Sequence, residues 1–179
     1  MTISDDSTTT RIRLLDTVTD AQQRELAAVL ADCVDGGASV SFMQPLTEDR
    51  AQAFWRRVAD GVASGERALL VAEDDEGILG TVQVVLAQPE NQPHRGDVSK
   101  MLVLRRARRC GLGAALMKAA ADAAREHGKS LLVLDTASAD AERLYARLGW
   151  QRCGVIPGYA LLPQGGLCDT TYFYRRLDQ

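Results

Sequence analysis

The sequence is poor in the residues that build metal centres and disulfide frameworks. It holds two histidines and four cysteines in 179 residues, and Cys33, Cys110, Cys153 and Cys168 form no Cys-x-x-Cys pair. That spacing argues against a zinc site or a disulfide-stapled fold, and makes a reducing cytoplasm the expected compartment. Apolar runs of the ~20 residues needed to span a bilayer are missing. The first ten residues are polar and acidic and lack the basic-then-apolar order of a secretory leader. A disordered tail over 1–10 is expected, followed by a single domain over 11–179. An excess of one charge is missing too. The net charge of −3 removes the electrostatic case for a nucleic-acid or membrane partner. What remains is an ordinary globular composition, 46% hydrophobic and 25% charged, with no internal repeat.

The periodicity of the apolar positions divides the chain into eleven elements. Arg11 to Leu15 alternates as a strand does. Asp20 is the expected N-cap of a helix with Leu26, Val29, Leu30 and Val34 on one face, stopped by Gly36-Gly37. Thr47 caps a second helix carrying Phe54, Trp55 and Val58. Residues 68–72 and 78–87 read as strands joined by an acidic turn over 73–77, and a fourth strand covers roughly Asp97 to Leu104. A long helix begins near Leu112 and ends at Gly128. Leu131–Leu134 is short and continuously apolar, as expected of a strand covered on both faces. A short helix over 140–148 and two strands, 153–161 and 170–176, complete the order β-α-α-β-β-β-α-β-α-β-β. The strand–helix–strand unit in the middle is expected to be a parallel crossover, with any ligand beyond the strand carboxyl ends.

The informative feature lies at that place. Arg108-Arg109-Cys110-Gly111-Leu112-Gly113-Ala114 joins the fourth strand to the long helix. Glycines let the backbone turn sharply and come close to a ligand. The first N–H groups of a helix have no internal partner, and with the dipole and the arginines they favour an anion. The stretch is neither a nucleotide-hydrolase phosphate loop, since no Gly-Lys-Ser/Thr follows, nor the dinucleotide fingerprint, since the third glycine is missing.

Arg108, Gly111 and Gly113 fill the pattern Arg/Gln-x-x-Gly-x-Gly/Ala. Further on, the apolar strand 131–134 is followed by Ala141, Tyr145, Gly149 and Trp150. In these two motifs and in element order from Arg11 to Leu177, the chain resembles the GNAT family of N-acetyltransferases. A finer resemblance is to its tabtoxin-resistance branch, carried by Gly36–Ser39 with Phe42-Met43, Asp97–Met101, Leu134–Thr136, Pro157–Tyr159 and Thr171–Phe173. The chain departs from that branch at Arg105, where proline is usual, at Cys110, where a basic residue is usual, and by one residue fewer between Asp135 and Tyr145.

The resemblance implies an α/β fold with a mixed, mostly antiparallel seven-stranded sheet, whose fourth and fifth strands are parallel and splay into a cleft. It implies acetyl-CoA as co-substrate, held by the turn from Arg108 and Arg109 through Cys110, Gly111, Leu112 and Gly113 to Ala114. The backbone of Leu102, Val103 and Leu104 would pair with the pantetheine arm, an N–H there (Leu102 first) polarising the thioester carbonyl. Tyr145 would protonate the leaving thiolate.

Asp97 and Asp135 stand at the start of the fourth strand and the end of the fifth. Strand geometry could put both carboxylates at the mouth of the cleft, where they would attract a cationic amine and take its proton. An equally open reading has Asp135 forming a turn or capping the short helix. The expected acceptor is the primary amine of a small molecule, a toxin or antibiotic among the candidates implied by the branch. A protein amine is the rival, and a non-catalytic coenzyme-A-binding module ranks lower. No metal, nucleic acid or membrane is expected. The protein would be a monomer, or a homodimer pairing through its last strands.

Overall fold

The computed structural model describes residues 9–177, so the tail expected over 1–10 lies almost wholly outside the described residues. The chain runs β1 (Arg11–Leu15), α1 (Asp20–Asp35), α2 (Glu48–Ala63), β2 (Arg67–Asp74), β3 (Gly77–Val85), β4 (Arg95–Val103), α3 (Leu112–Glu126), β5 (Leu131–Thr136), α4 (Ala139–Arg147), β6 (Gln151–Leu161) and β7 (Leu167–Arg176). One short turn of 3-10 helix, Arg105–Ala107, precedes α3. The order of elements is the expected one.

The strands form one seven-stranded sheet in the order β1-β2-β3-β4-β5-β7-β6. Only β4 and β5 are parallel, and they pair over three residues, Arg95 with Leu131 to Asp97 with Val133. Beyond Asp97 the two strands part. A bulge in β4 precedes its end: Thr81 of β3 faces Leu102 while Gln83 faces Ser99, so Lys100 and Met101 together oppose Val82. Bulges bend a strand and sharpen its twist, which carries the end of β4 away from β5.

Two apolar layers flank the sheet. α3 and α4 cover one face, with Leu116, Met117 and Ala120 packed on Leu70, Val84, Leu132 and Phe173. α1 and α2 cover the other, with Leu26, Leu30 and Trp55 packed on Leu69 and Val71. β2 and β3 are thus buried on both sides. The strand expected to be covered on both faces, β5, is not. Leu132 and Leu134 are buried, whereas Leu131 and Val133 are only half-buried and Asp135 is exposed. The reason is the reach of α1 and α2, which pack on β2, β3 and β4 and leave the second face of β5 open.

The start of α1 is also one residue earlier than expected. Thr19, not Asp20, is the N-cap: its hydroxyl accepts from Gln22 N, and the Gln22 side chain accepts from Thr19 N at 2.9 Å. This reciprocal pair satisfies two of the orphan donors of the first turn. Thr19→Ala is expected to lower the unfolding free energy by about 1 kcal/mol in urea titrations, and Asp20→Ala by less.

Candidate active site

The parting of β4 and β5 opens a cavity of about 1000 Å³. Its floor at one end is the turn Arg108, Arg109, Gly111, Leu112, Gly113 and Ala114, with Leu102 and Val103 of β4 alongside. Gly111 is the N-cap of α3, at φ 85, and supplies no side-chain cap. Open space surrounds it, since a Cβ there would meet nothing within 4 Å. The N–H groups at the start of this fifteen-residue helix therefore have no side-chain partner from their cap and abut an open cradle. Gly113 lets α4 come close: a Cβ there would lie 3.1 Å from the Leu144 side chain, which would have to give by a few tenths of an ångström. Such a cradle fits an anionic group of the pyrophosphate kind.

The arginines divide their work. Arg105 donates to Asp32 from both backbone and side chain, at 2.8 and 2.9 Å, and so faces α1. Burial alone would raise the Asp32 carboxyl, but the Arg105 hydrogen bonds and the charges of Arg105 and Arg108 hold it below its usual range. Arg108 lines the cavity, yet its Nε donates to Val103 O at 3.1 Å and its Nη2 approaches Cys33 Sγ at 3.7 Å. It ties the end of β4 to α1 while its charge stays at the cavity. Arg109 lines the cavity in the left-handed region, at φ 65. Two expected turn and strand positions do not line it. Leu104 donates its N–H to Leu79 O of β3 at 2.8 Å, so that group is spent within the sheet. Cys110 is exposed, with its Sγ bonded back to Ala107 O.

At the other end stand Asp135, Tyr145, Tyr159 and Thr170. Asp135 caps nothing. The α4 cap is Ser138, whose hydroxyl accepts from Ala141 N, and Asp135 instead accepts from Thr170 Oγ1 of β7 at 2.8 Å. Asp97, expected beside it at the cleft mouth, lies at the last paired rung of β4 and β5 and does not line the cavity. Its carboxylate is bonded to Arg95 and Gln88. The pairing register puts Asp97 opposite Val133, two residues short of Asp135.

Tyr145 is 5% exposed and points inward from α4, its ring 5.9 Å from both Trp150 and Phe173. Burial, with the Asp135 charge adding to it, pushes its hydroxyl well above the usual tyrosine range. The sign for stability follows. The unfolded chain ionises near pH 10 and the folded one later, so folding loses stability as pH rises above about 10. Denaturant titrations at pH 9 and pH 11 are expected to show a larger drop in the wild type than in Tyr145→Phe.

Sequence reasoning passed over three features. Tyr172, opposite Asp135 in the β5–β7 pairing, shares a 3.0 Å hydroxyl contact with Tyr159; that contact, then burial and the Asp135 charge, raise Tyr172 to about 12. Cys33 is buried and lines the cavity beside Arg108, its thiol pushed up by burial. Lys100 sits in the β4 bulge. No periodicity marks these residues, because they meet only where separate strands and loops converge.

A sheet with one splayed parallel pair, a glycine turn into the following helix and an inward tyrosine on the next helix define an acyltransferase architecture. The family model of the GNAT acetyltransferases matches residues 37–150. The chain belongs to that family and is an acetyltransferase. Among solved structures it is similar to the phosphinothricin acetyltransferase of Sinorhizobium meliloti in complex with acetyl-CoA, at 19% identity, 94% of this chain, 88% of that one and a TM-score of 0.78. It is similar to an N-acetyltransferase from Staphylococcus aureus, at 16% identity, 95% and 99% coverage and a TM-score of 0.79. A ribosomal-protein-alanine N-acetyltransferase from Brucella melitensis gives 24% identity, 93% and 99% coverage and a TM-score of 0.74. These likenesses concern the fold. Among the described residues, no group of three or more acidic, histidine or cysteine side chains could hold a metal ion, and no helix is long and apolar enough to cross a membrane.

Proposed function

We propose that the protein transfers an acetyl group from acetyl-CoA directly to the primary amine of a small molecule, a toxin or antibiotic among them. The observation that carries this reading is the roof over the acceptor end of the cavity. The segment between α1 and α2 reaches across to the β6–β7 hairpin: Gln44 N donates to Pro163 O at 2.9 Å, and Ser39 Oγ to Leu161 O at 3.4 Å. An extended peptide needs a trough open at both sides, and this bridge, of which Ser39 and Leu161 line the cavity, narrows it. A small amine needs only an entrance.

The family and the uncapped cradle support acetyl-CoA as donor; it supplies an acetyl group already activated as a thioester. In this reading the first N–H groups of α3, with Arg109 nearby, hold its pyrophosphate. The Leu102 and Val103 backbone orients the arm toward Tyr145. Asp135 attracts the acceptor ammonium and takes its proton, and the freed nitrogen attacks the carbonyl carbon. As the carbon–sulfur bond breaks, Tyr145 donates a hydrogen bond to the departing sulfur, and the second proton shed by the acetylated nitrogen ends on that sulfur, so that free thiol leaves. Holding both reactants together makes a covalent acyl-enzyme unnecessary.

Release of free thiol from acetyl-CoA, followed across a panel of small amines and a set of short peptides, tests the reading. Turnover of at least one small amine with a higher kcat/KM than any peptide is expected. Peptides turned over faster would move the assignment to a protein acceptor. Binding of acetyl-CoA without turnover of any amine would sink the enzymatic reading.

A further inference from the structure

A second row of charge reaches the cavity from α4. Asp140, Arg143, Leu144 and Arg147 all line it. Their spacing of three and four residues puts them on one side of that helix. Contact fixes where this side lies: the Leu144 side chain rests on Gly113, in the first turn of α3. Arg143 and Arg147 flank that contact, one residue before Leu144 and three after it. They therefore stand at the cradle end of the cavity, across from Arg109. Arg143 is paired with Asp140. Arg147 is exposed and makes no ion pair among the described residues.

The positive charge at this end exceeds what a pyrophosphate calls for. The N–H groups of α3 already offer that group donors and a favourable dipole. Arg109 adds its charge at the turn, and Arg108 is bonded to Val103 O. The two α4 guanidinium groups come on top of these. A seat in the last turn of α4 suits a cation such as Arg147. The helix dipole gives no reason, however, for Arg143 to face the cavity one turn earlier. Coenzyme A supplies a partner for both. Besides its pyrophosphate it bears a phosphate monoester on the 3′ oxygen of its ribose, a group that carries about −1.5 to −2 charge near pH 7. A planar guanidinium meets such a group with two parallel hydrogen bonds.

We propose that Arg147, assisted by Arg143, holds the 3′-phosphate of acetyl-CoA, so that the protein distinguishes the coenzyme from its dephospho form. This rests on acetyl-CoA as the donor and is independent of the acceptor. The two arginines are then specificity-determining residues that take no part in bond making.

Calorimetric titration of the full chain with coenzyme A and with dephospho-coenzyme A reads the subsite without any acceptor. The wild type is expected to bind coenzyme A about tenfold more tightly, the scale of a charge-assisted hydrogen bond. In Arg147→Met that ratio is expected to fall to within about twofold of unity, with the affinity for dephospho-coenzyme A nearly unchanged. Arg147→Lys keeps the charge but loses the fork, so an intermediate ratio is expected. Arg143→Met should reduce the ratio by less, because Asp140 shares that guanidinium. Arg106→Met, at an arginine that does not line the cavity, should leave the ratio as it is. The ratio is taken within one preparation, so partly unfolded protein does not move it. Equal affinities in the wild type, or a ratio indifferent to Arg147→Met, overturn the subsite. If no amine is acetylated, the enzymatic reading fails while the ratio still decides the subsite. Failure of the wild type to bind either form overturns the subsite together with the donor.

Discussion

Tyr145→Phe is expected to lower kcat by about 10²- to 10³-fold, the scale lost when one donor to a developing anion is removed, with the affinity for acetyl-CoA within about twofold of the wild type. The phenyl ring keeps the contacts with Trp150 and Phe173, so the fold around α4 stays filled. Only the hydroxyl is lost. Reference values of about 10 for a phenol and about 8.5 for a thiol make full proton transfer to a thiolate uphill by about 2 kcal/mol. Burial raises the Tyr145 hydroxyl further, which widens that gap. The first task of Tyr145 is therefore to donate a hydrogen bond to sulfur as negative charge builds there. The raised hydroxyl keeps that donor protonated at any working pH. Rate profiles should accordingly show no alkaline decline below pH 10 that disappears in Tyr145→Phe. Stopped-flow single turnovers, which separate chemistry from release, check the size of the effect; an unchanged chemical step would remove Tyr145 from the mechanism.

Asp135→Asn is expected to lower kcat/KM for the acceptor by about 10²-fold or more, because a positioned general base contributes on that scale. The amide keeps the shape of the carboxylate and can still accept from Thr170 Oγ1, so the change isolates charge and basicity. An aliphatic amine arrives protonated, with a reference value near 10. In the variant the loss should shrink as pH rises toward 10 and more of the free amine is present in solution. Asp97→Asn is expected to cost less than tenfold. Its carboxylate is held by Arg95 and Gln88 at the last paired rung of β4 and β5 and does not line the cavity. Equal losses in the two variants, measured as kcat/KM at one acetyl-CoA concentration, would restore Asp97 as a partner of Asp135.

Local rules made much of this protein legible before its structure. Gly111 is readable because only a residue tolerant of φ 85 suits a turn that leaves the N–H groups of α3 uncapped by a side chain. Tyr145 is readable because it shares a helix face with Ala141, Leu144 and Leu148, all packed on the same core. The alternation of Leu69 and Val71 against Leu70 and Ala72 fixes two faces of one strand, and the structure gives each face its own helix layer. Where local rules misled, a neighbour distant in sequence decided the outcome. Leu131–Leu134 looks like a strand covered on both sides, but α1 and α2 do not extend over β5. Asp135 reads equally as a cleft carboxylate and as a turn or cap residue, and it is Thr170, thirty-five positions away, that bonds its carboxylate. Asp97 and Asp135 look like a pair, but the register of the parallel strands sets them two rungs apart.

The sequence by itself determined the order of elements, the parallel unit and the glycine turn, because period, capping and turn chemistry act over a few residues. The tertiary structure alone decided which carboxylate faces the cavity, that Arg105 turns to Asp32 while Arg108 stays at the cleft, and that Lys100 meets Ser41. Those outcomes depend on strand register and on where a bulge parts two strands. Register is a property of pairs of segments, and no window along one of them contains it.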